Sequence, residues 1–162
     1  MADYSIVHKP SMIVVGVSCR TSNAPTAGPK DIPRLWERFY SENVSRKIAN
    51  RVSDDVIALY CEYEGDHTRP YSLVIGYPVG SLESVPNGMV AKFVPEATYA
   101  VFRAVGEYPK CVLETWGNIW QSRLNRRFSG DFEVYGSKFA TGASKEVEVY
   151  VAIKAEQVAK KH

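Results

Sequence analysis

Glu146-Val147-Glu148-Val149-Tyr150-Val151-Ala152-Ile153 sets Val147, Val149, Val151 and Ile153 on one parity and Glu146, Glu148 and Tyr150 on the other. Side chains alternate across a strand, so this stretch reads as a strand with one wholly aliphatic face. Such a face needs a covering layer. A helical pattern upstream offers one: Leu113, Trp116, Trp120 and Leu124 follow Pro109 on a single helix face. Between the two lies Asp131-Phe132-Glu133-Val134-Tyr135. It reads as a second strand, with Phe132 and Val134 to the core and Glu133 and Tyr135 to the opposite, open side.

The same order occurs earlier in the chain. Residues 4–7 and 11–17 read as strands split by Lys9-Pro10, and 22–29 as a loop. Asp31 can cap a helix that tolerates Pro33 in its first turn and runs to about residue 50. Its apolar face is Ile32, Leu35, Trp36 and Phe39. Residues 55–63 and 70–77 read as paired strands around the turn chemistry of Glu64-Gly65-Asp66. Residues 83–88 connect to strands at 89–94 and 98–105, broken at Pro95. Pro10 then corresponds to Pro95, Trp36 to Trp116, and Tyr60 to Tyr135. The expectation is a single α+β domain over 1–162, built from pseudo-repeats of about 4–80 and 88–155. Each repeat is strand-helix-strand-strand. Together they form one antiparallel sheet with two helices on one face and a central ligand cleft on the other. Residues 154–162 read as a polar, frayed helical tail.

On that expected open face, carboxylates alternate with tyrosines: Glu133 and Tyr135, Glu146, Glu148 and Tyr150, and Tyr60, Glu62 and Glu64 from the first half. Aromatic faces attract flat apolar molecules and cations, and a partly desolvated carboxylate adds a countercharge. A solvated sheet face would use the same residues as ordinary cross-strand partners. Glu133 stands out, two residues before a Tyr in a central strand. Trp36 and Trp116 read as core, and Trp120 lies further toward the rim. Arg123, Arg126 and Arg127 read as a solvated helix end that complements the helix dipole.

Composition narrows the function classes. The 162 residues are 45% apolar and 23% charged, which argues against disorder or a fibre. The 20 basic and 18 acidic side chains nearly cancel, so no charge excess calls for nucleic acid or a membrane surface. Cys19, Cys61 and Cys111 are far apart and read as reduced thiols. His8, His67 and His162 lack metal-ligand spacing, so no metal or cofactor is expected. The N-terminus has no basic start followed by a long apolar run, and residues 12–17 are too few to cross a bilayer. The expected location is cytoplasmic.

Residues 60–66 and 70–76 resemble the first half of the GyrI-like small-molecule-binding domains. Residues 95–106, the helix bearing Trp116 and Ile119-Trp120, and the strands 131–135 and 146–153 resemble the second half. Such domains also form the effector-binding part of AraC-type and MerR-type multidrug regulators. The resemblance implies a duplicated fold with a central pocket, in which an acidic residue pairs with cationic aromatic drugs. By motif that residue is Glu133, and the matching aromatics are Tyr99 or Phe102, Trp120 and Tyr135. Stand-alone members without a DNA-binding domain are known, some of which hydrolyse cyclopropane-bearing alkylating compounds. With the first strand beginning by Tyr4, no helix-turn-helix and no direct nucleic-acid binding are expected here.

Three functions remain open at this level. The first is a stand-alone binder of small hydrophobic or cationic molecules, with Tyr60, Glu62, Tyr99, Phe102, Trp120, Glu133, Tyr135, Glu148 and Tyr150 as its site. The second is a hydrolase on the same fold with Glu133 as general base. The third is a protein-interaction module that inhibits a partner such as gyrase.

Overall fold

Two chain paths run antiparallel past each other and organise the sheet. The computed structural model describes residues 4–24, 28–82, 85–136, 139 and 146–154. The expected tail beyond 154 and parts of the loops at 22–29 and 83–88 lie outside them. The first path is β1 (Ser5–Lys9), Pro10-Ser11 and β2 (Met12–Thr21). The second is β5 (Val90–Val94), Pro95-Glu96 and β6 (Ala97–Val105). β1 pairs with β6 from Ser5↔Val101 to Lys9↔Ala97, and β2 pairs with β5 from Met12↔Val94 to Gly16↔Val90. The register is therefore continuous through both prolines. Neither proline could donate to the ladder, and both sit at the breaks between its two halves.

The remaining strands are β3 (Val56–Cys61), β4 (Tyr71–Val79), β7 (Asp131–Tyr135) and β8 (Glu146–Ile153). Every pairing is antiparallel, in the order β1-β6-β8-β7-β3-β4-β2-β5. β1 is first in that order and β2 seventh, yet two residues join them. In a flat sheet they would lie about 29 Å apart, whereas three peptide units reach only roughly 11 Å. The sheet must curl, and the packing shows that it does. A Cβ at Gly130, just before β7, would come within 3.4 Å of Val94 on the far edge strand and 3.8 Å of Leu59.

Curling buries both faces. The inner face carries Val14, Leu59, Val74, Tyr99, Phe132 and Ala152, each at most 2% exposed. The curled sheet covers the middle of this face and leaves Arg103 and Val105 at its end exposed, so the expected open face is closed over its centre. The other face carries Val15, Val17, Leu73, Ile75, Ala100, Phe102, Val147, Val149 and Val151. There α1 (Gly28–Ser41) rests on β2 and β4, and α3 (Lys110–Gln121) on β6. The central strands β3 and β7 lie between the two helices. That is where the fold leaves room for a site.

The eight strands follow the periodicity closely, and the helix ends differ. α1 starts at Gly28, so Asp31 sits in its first turn rather than at its cap, accepting a hydrogen bond from the Thr21 hydroxyl at 2.8 Å. It stops at Ser41, because Asn43 turns left-handed at φ 52 before the short α2 (Val44–Lys47). On α3 the buried face is Val112, Trp116 and Ile119, and Leu113 is 66% exposed. Spacings of four and three keep that stripe on the sheet, which turns Leu113 outward.

Gly16 and Gly76 are opposed in the β2–β4 ladder. A Cβ on Gly16 would lie 2.1 Å from the Ile75 carbonyl oxygen, and one on Gly76 1.9 Å from that of Val15. Both obstacles are backbone, so the strands themselves would have to part. Gly16→Ala or Gly76→Ala should each cost about 2–4 kcal/mol in urea unfolding. A loss below the error of the measurement would mean that the close approach is not required.

Candidate ligand-binding site

Glu133 stands opposite Ala58 of β3 and Val149 of β8. Directly paired residues share a face, and Val149 belongs to the helix-covered one. Glu133 and Tyr135 therefore lie under the helices, with Asp131 and Tyr60, while Phe132 and Val134 face inward. This reverses the expected assignment for β7. Apolar character cannot choose between two buried faces, and the ladder to β8 decides.

Glu133 is 2% exposed. Its Oε2 accepts from the Tyr60 hydroxyl at 2.8 Å and the Trp116 indole Nε1 at 2.7 Å, and its Oε1 from the Tyr135 hydroxyl at 2.6 Å. Among the described residues it forms no ion pair. All three donors are neutral, so they stabilise a negative charge without cancelling it. Burial pushes the Glu133 carboxyl above the usual carboxylate range, and these hydrogen bonds pull it partly back. Burial first, then the Glu133 carboxylate, push the Tyr60 and Tyr135 hydroxyls well above the usual phenol range. Both remain donors at neutral pH.

Aromatic rings enclose the carboxylate. Tyr135 meets Trp36 edge-on with ring centres 4.9 Å apart, Phe139 at 5.2 Å and Tyr108 at 5.9 Å. Tyr60 packs 5.2 Å from Trp116 and 5.5 Å from Tyr71. A cavity of about 270 Å³ between Phe39, Tyr40, Val56 and Tyr77 ends at Tyr135. Tyr40 at its mouth is 67% exposed. The outside thus reaches within one side chain of Glu133.

A second buried carboxylate lies two residues away on the same face. Asp131 is fully buried and accepts from the Tyr63 hydroxyl at 2.6 Å, Arg126 Nη2 at 2.7 Å and the Ala152 amide at 2.8 Å. Arg126 is 9% exposed and not a solvated helix end. Asp131 draws its head inward, between the rings of Phe128, Tyr63 and Trp116.

Of the expected site residues, the fold brings together Tyr60, Glu133 and Tyr135. Trp120 lies one turn beyond Trp116 and stacks on His67, with ring centres 5.5 Å apart. Phe102 is on the same sheet face but packs against Tyr4. Tyr99 and Tyr150 are on the inner face around Phe132, and Glu148 accepts the Tyr150 hydroxyl there. Glu62 follows β3 with φ 53, is exposed, and pairs with Lys92 at 2.8 Å. Glu62, Tyr99, Glu148 and Tyr150 thus stand away from Glu133. The residue that sequence reasoning placed only in the core is Trp116, which contacts the carboxylate directly. Its signal was the indole N–H: a buried tryptophan needs an acceptor.

The integron-associated effector-binding protein family, Cass2, matches residues 5–153. The chain belongs to this family. It is 34% identical over 154 residues to the putative transcriptional regulator protein YobU of Bacillus subtilis, covering 92% of this chain and 96% of that one. It is 31% identical over 156 residues to the transcriptional regulator BrlR of Pseudomonas aeruginosa, of whose length the match covers only 54%. The integron cassette protein VCH_CASS2 from Vibrio cholerae superposes with a TM-score of 0.73 at 27% identity, over 93% of this chain and 95% of that chain. SAV2435, solved bound to tetraphenylphosphonium, superposes with a TM-score of 0.76 over 96% of both chains. At 19% identity that likeness establishes the shared fold. The recognised architecture is thus the GyrI-like effector-binding fold. No described helix is long and apolar enough to cross a membrane.

The raised Glu133 carboxyl makes stability depend on pH. The folded protein holds this proton to higher pH than the unfolded chain does. As pH rises from the ordinary carboxylate range through the raised value, the unfolded chain ionises first and stability falls. Glu133→Gln removes that fall, and at neutral pH it should lower stability by no more than about 1 kcal/mol. Urea midpoints across that range test this. Parallel profiles for wild type and variant would show that Glu133 does not titrate abnormally.

Proposed function

We propose that this chain binds positively charged aromatic small molecules, with the Glu133 carboxylate as countercharge and Tyr60, Trp116 and Tyr135 as its surrounding walls. One observation carries the reading: a buried carboxylate held by three neutral donors and, among the described residues, by no cation. Burying a charge unpaired is costly, and folds avoid it unless the charge has a use. Membership of an effector-binding family and the tetraphenylphosphonium complex of SAV2435 support the same ligand class.

The geometry favours binding over hydrolysis at this carboxylate. A general base needs a lone pair aimed at water. Here three of about four lone-pair directions are already taken. The aromatic cover also implies that a ligand must move a ring to reach Glu133, and Tyr108, 38% exposed, is the most exposed of the described rings that meet Tyr135.

Tetraphenylphosphonium should bind with micromolar affinity, about −8 kcal/mol. Trp fluorescence or calorimetry follows it. Glu133→Gln should weaken binding at least tenfold, and wild-type affinity should rise with pH as the carboxyl ionises. Equal affinities for variant and wild type would remove Glu133 as the countercharge. Stopped-flow mixing examines the cover: Tyr108→Ala should speed association severalfold, and an unchanged rate would place the entrance elsewhere.

A further inference from the structure

The guanidinium of Arg126 is buried beside the site with more donors than partners. Its Nη2 is spent on Asp131, but Nε and Nη1 have no hydrogen-bond partner among the described residues. Asp131 is shared among Tyr63, the Ala152 amide and Arg126, and takes a single hydrogen bond from the guanidinium. Unpaired buried N–H groups are rare in folded proteins, and a charged fork with free donors is a ready receptor for a carboxylate.

Its position ties it to Glu133. Asp131 and Glu133 sit on one face of β7 with a single residue between them, about 7 Å of strand. Trp116 spans the gap: its Nε1 donates to Glu133, and its ring centre lies 5.8 Å from the guanidinium carbon. Phe128, at 4.2 Å, covers the guanidinium from another side. The bridge of Arg126 to Ile153 holds its backbone beside the end of β8. A negative and a positive pole thus share one aromatic wall.

We infer that Arg126 is a second polar anchor of the same pocket, taking the carboxylate of a zwitterionic aromatic ligand whose cation sits on Glu133. This rests on the binding role proposed for Glu133 and narrows its ligand class. Asp131 and Tyr63 act as positioning residues, holding the guanidinium so that Nε and Nη1 stay free.

Rhodamine B, which carries a cationic ring system and a carboxylate, is the probe. Its ethyl ester keeps the ring and caps the acid, and tetraphenylphosphonium has no acceptor. On wild-type protein the acid should bind at least tenfold tighter than the ester. That comparison needs no variant, and equal or reversed affinity overturns the arginine anchor. Arg126→Lys keeps the charge beside Asp131 but loses the fork. It should weaken rhodamine B at least tenfold more than it weakens tetraphenylphosphonium, with thermal melting confirming the fold. Equal weakening of both probes would also overturn the proposal, since a merely structural arginine would act on both. Glu133→Gln should weaken both probes. If it weakens neither while the acid still outbinds the ester, the countercharge role of Glu133 falls and the arginine anchor stands.

Discussion

The antiparallel passage of residues 5–16 along 90–101 is the constraint on which the rest of the molecule depends. One register runs through both prolines, so each path serves as edge strand to one half of the sheet and interior strand to the other. The sheet cannot then lie flat. Its curl seals one face against itself and sends both helices to the other. With α1 over β2 and β4 and α3 over β6, the central strands lie where the two helices meet, and Trp36 of α1 and Trp116 of α3 reach Tyr135 and Glu133 there. At Gly16 and Gly76 the β2 and β4 backbones approach where a side chain would hold them apart.

Two carboxylates on one strand face are treated in opposite ways. Asp131 receives a guanidinium, a hydroxyl and an amide, and it ties β7, β8 and the segment after α3 together. Glu133 receives two hydroxyls and an indole. The difference is one formal charge. A desolvated ion with a countercharge is a structural fastening, and one held only by dipoles keeps an attraction to spare. Burial raises the Glu133 carboxyl above its ordinary range. A cation entering beside it would reverse that shift, so ligand binding and proton release are coupled there.

Much of this was legible in the residues. β7 and β8 have the expected bounds, and the other strands differ by a few residues at their ends, because alternation in strands rich in valine and tyrosine is a strong signal. Glu133, Tyr135 and Tyr60 could be singled out because carboxylates rarely sit among aromatics in a central strand. The side they occupy could not be read. Phe132 and Val134 look like the core side of an isolated strand, and that inference assumes one face meets water. The assumption fails when the sheet curls, and curling follows from the pairing of β1 with β6 and β2 with β5, contacts 74 to 96 residues apart. Arg126 was misread for a related reason. An arginine after a helix is usually solvated, and only the spatial approach of Asp131, with Ala152 and Tyr63, reveals a buried receptor for it.

The choice of neutral donors around Glu133 has a consequence for breadth of binding. A lysine in place of Trp116 or Tyr60 would satisfy the carboxylate permanently and compete with every ligand. A hydroxyl or indole N–H steadies the charge by hydrogen bonding, and its ring also offers a face to a cation. Such rings do not demand one ligand outline, because stacking and edge contacts tolerate displacement better than a directional hydrogen-bond set does. Selectivity must then come from a group with fixed geometry. Within the described part of this pocket the planar fork of Arg126 is such a group, held from behind by Asp131 and flanked by Phe128 and Trp116. A permissive carboxylate and a directional guanidinium on one wall can accept many cations while preferring those that bring an acid at the right distance.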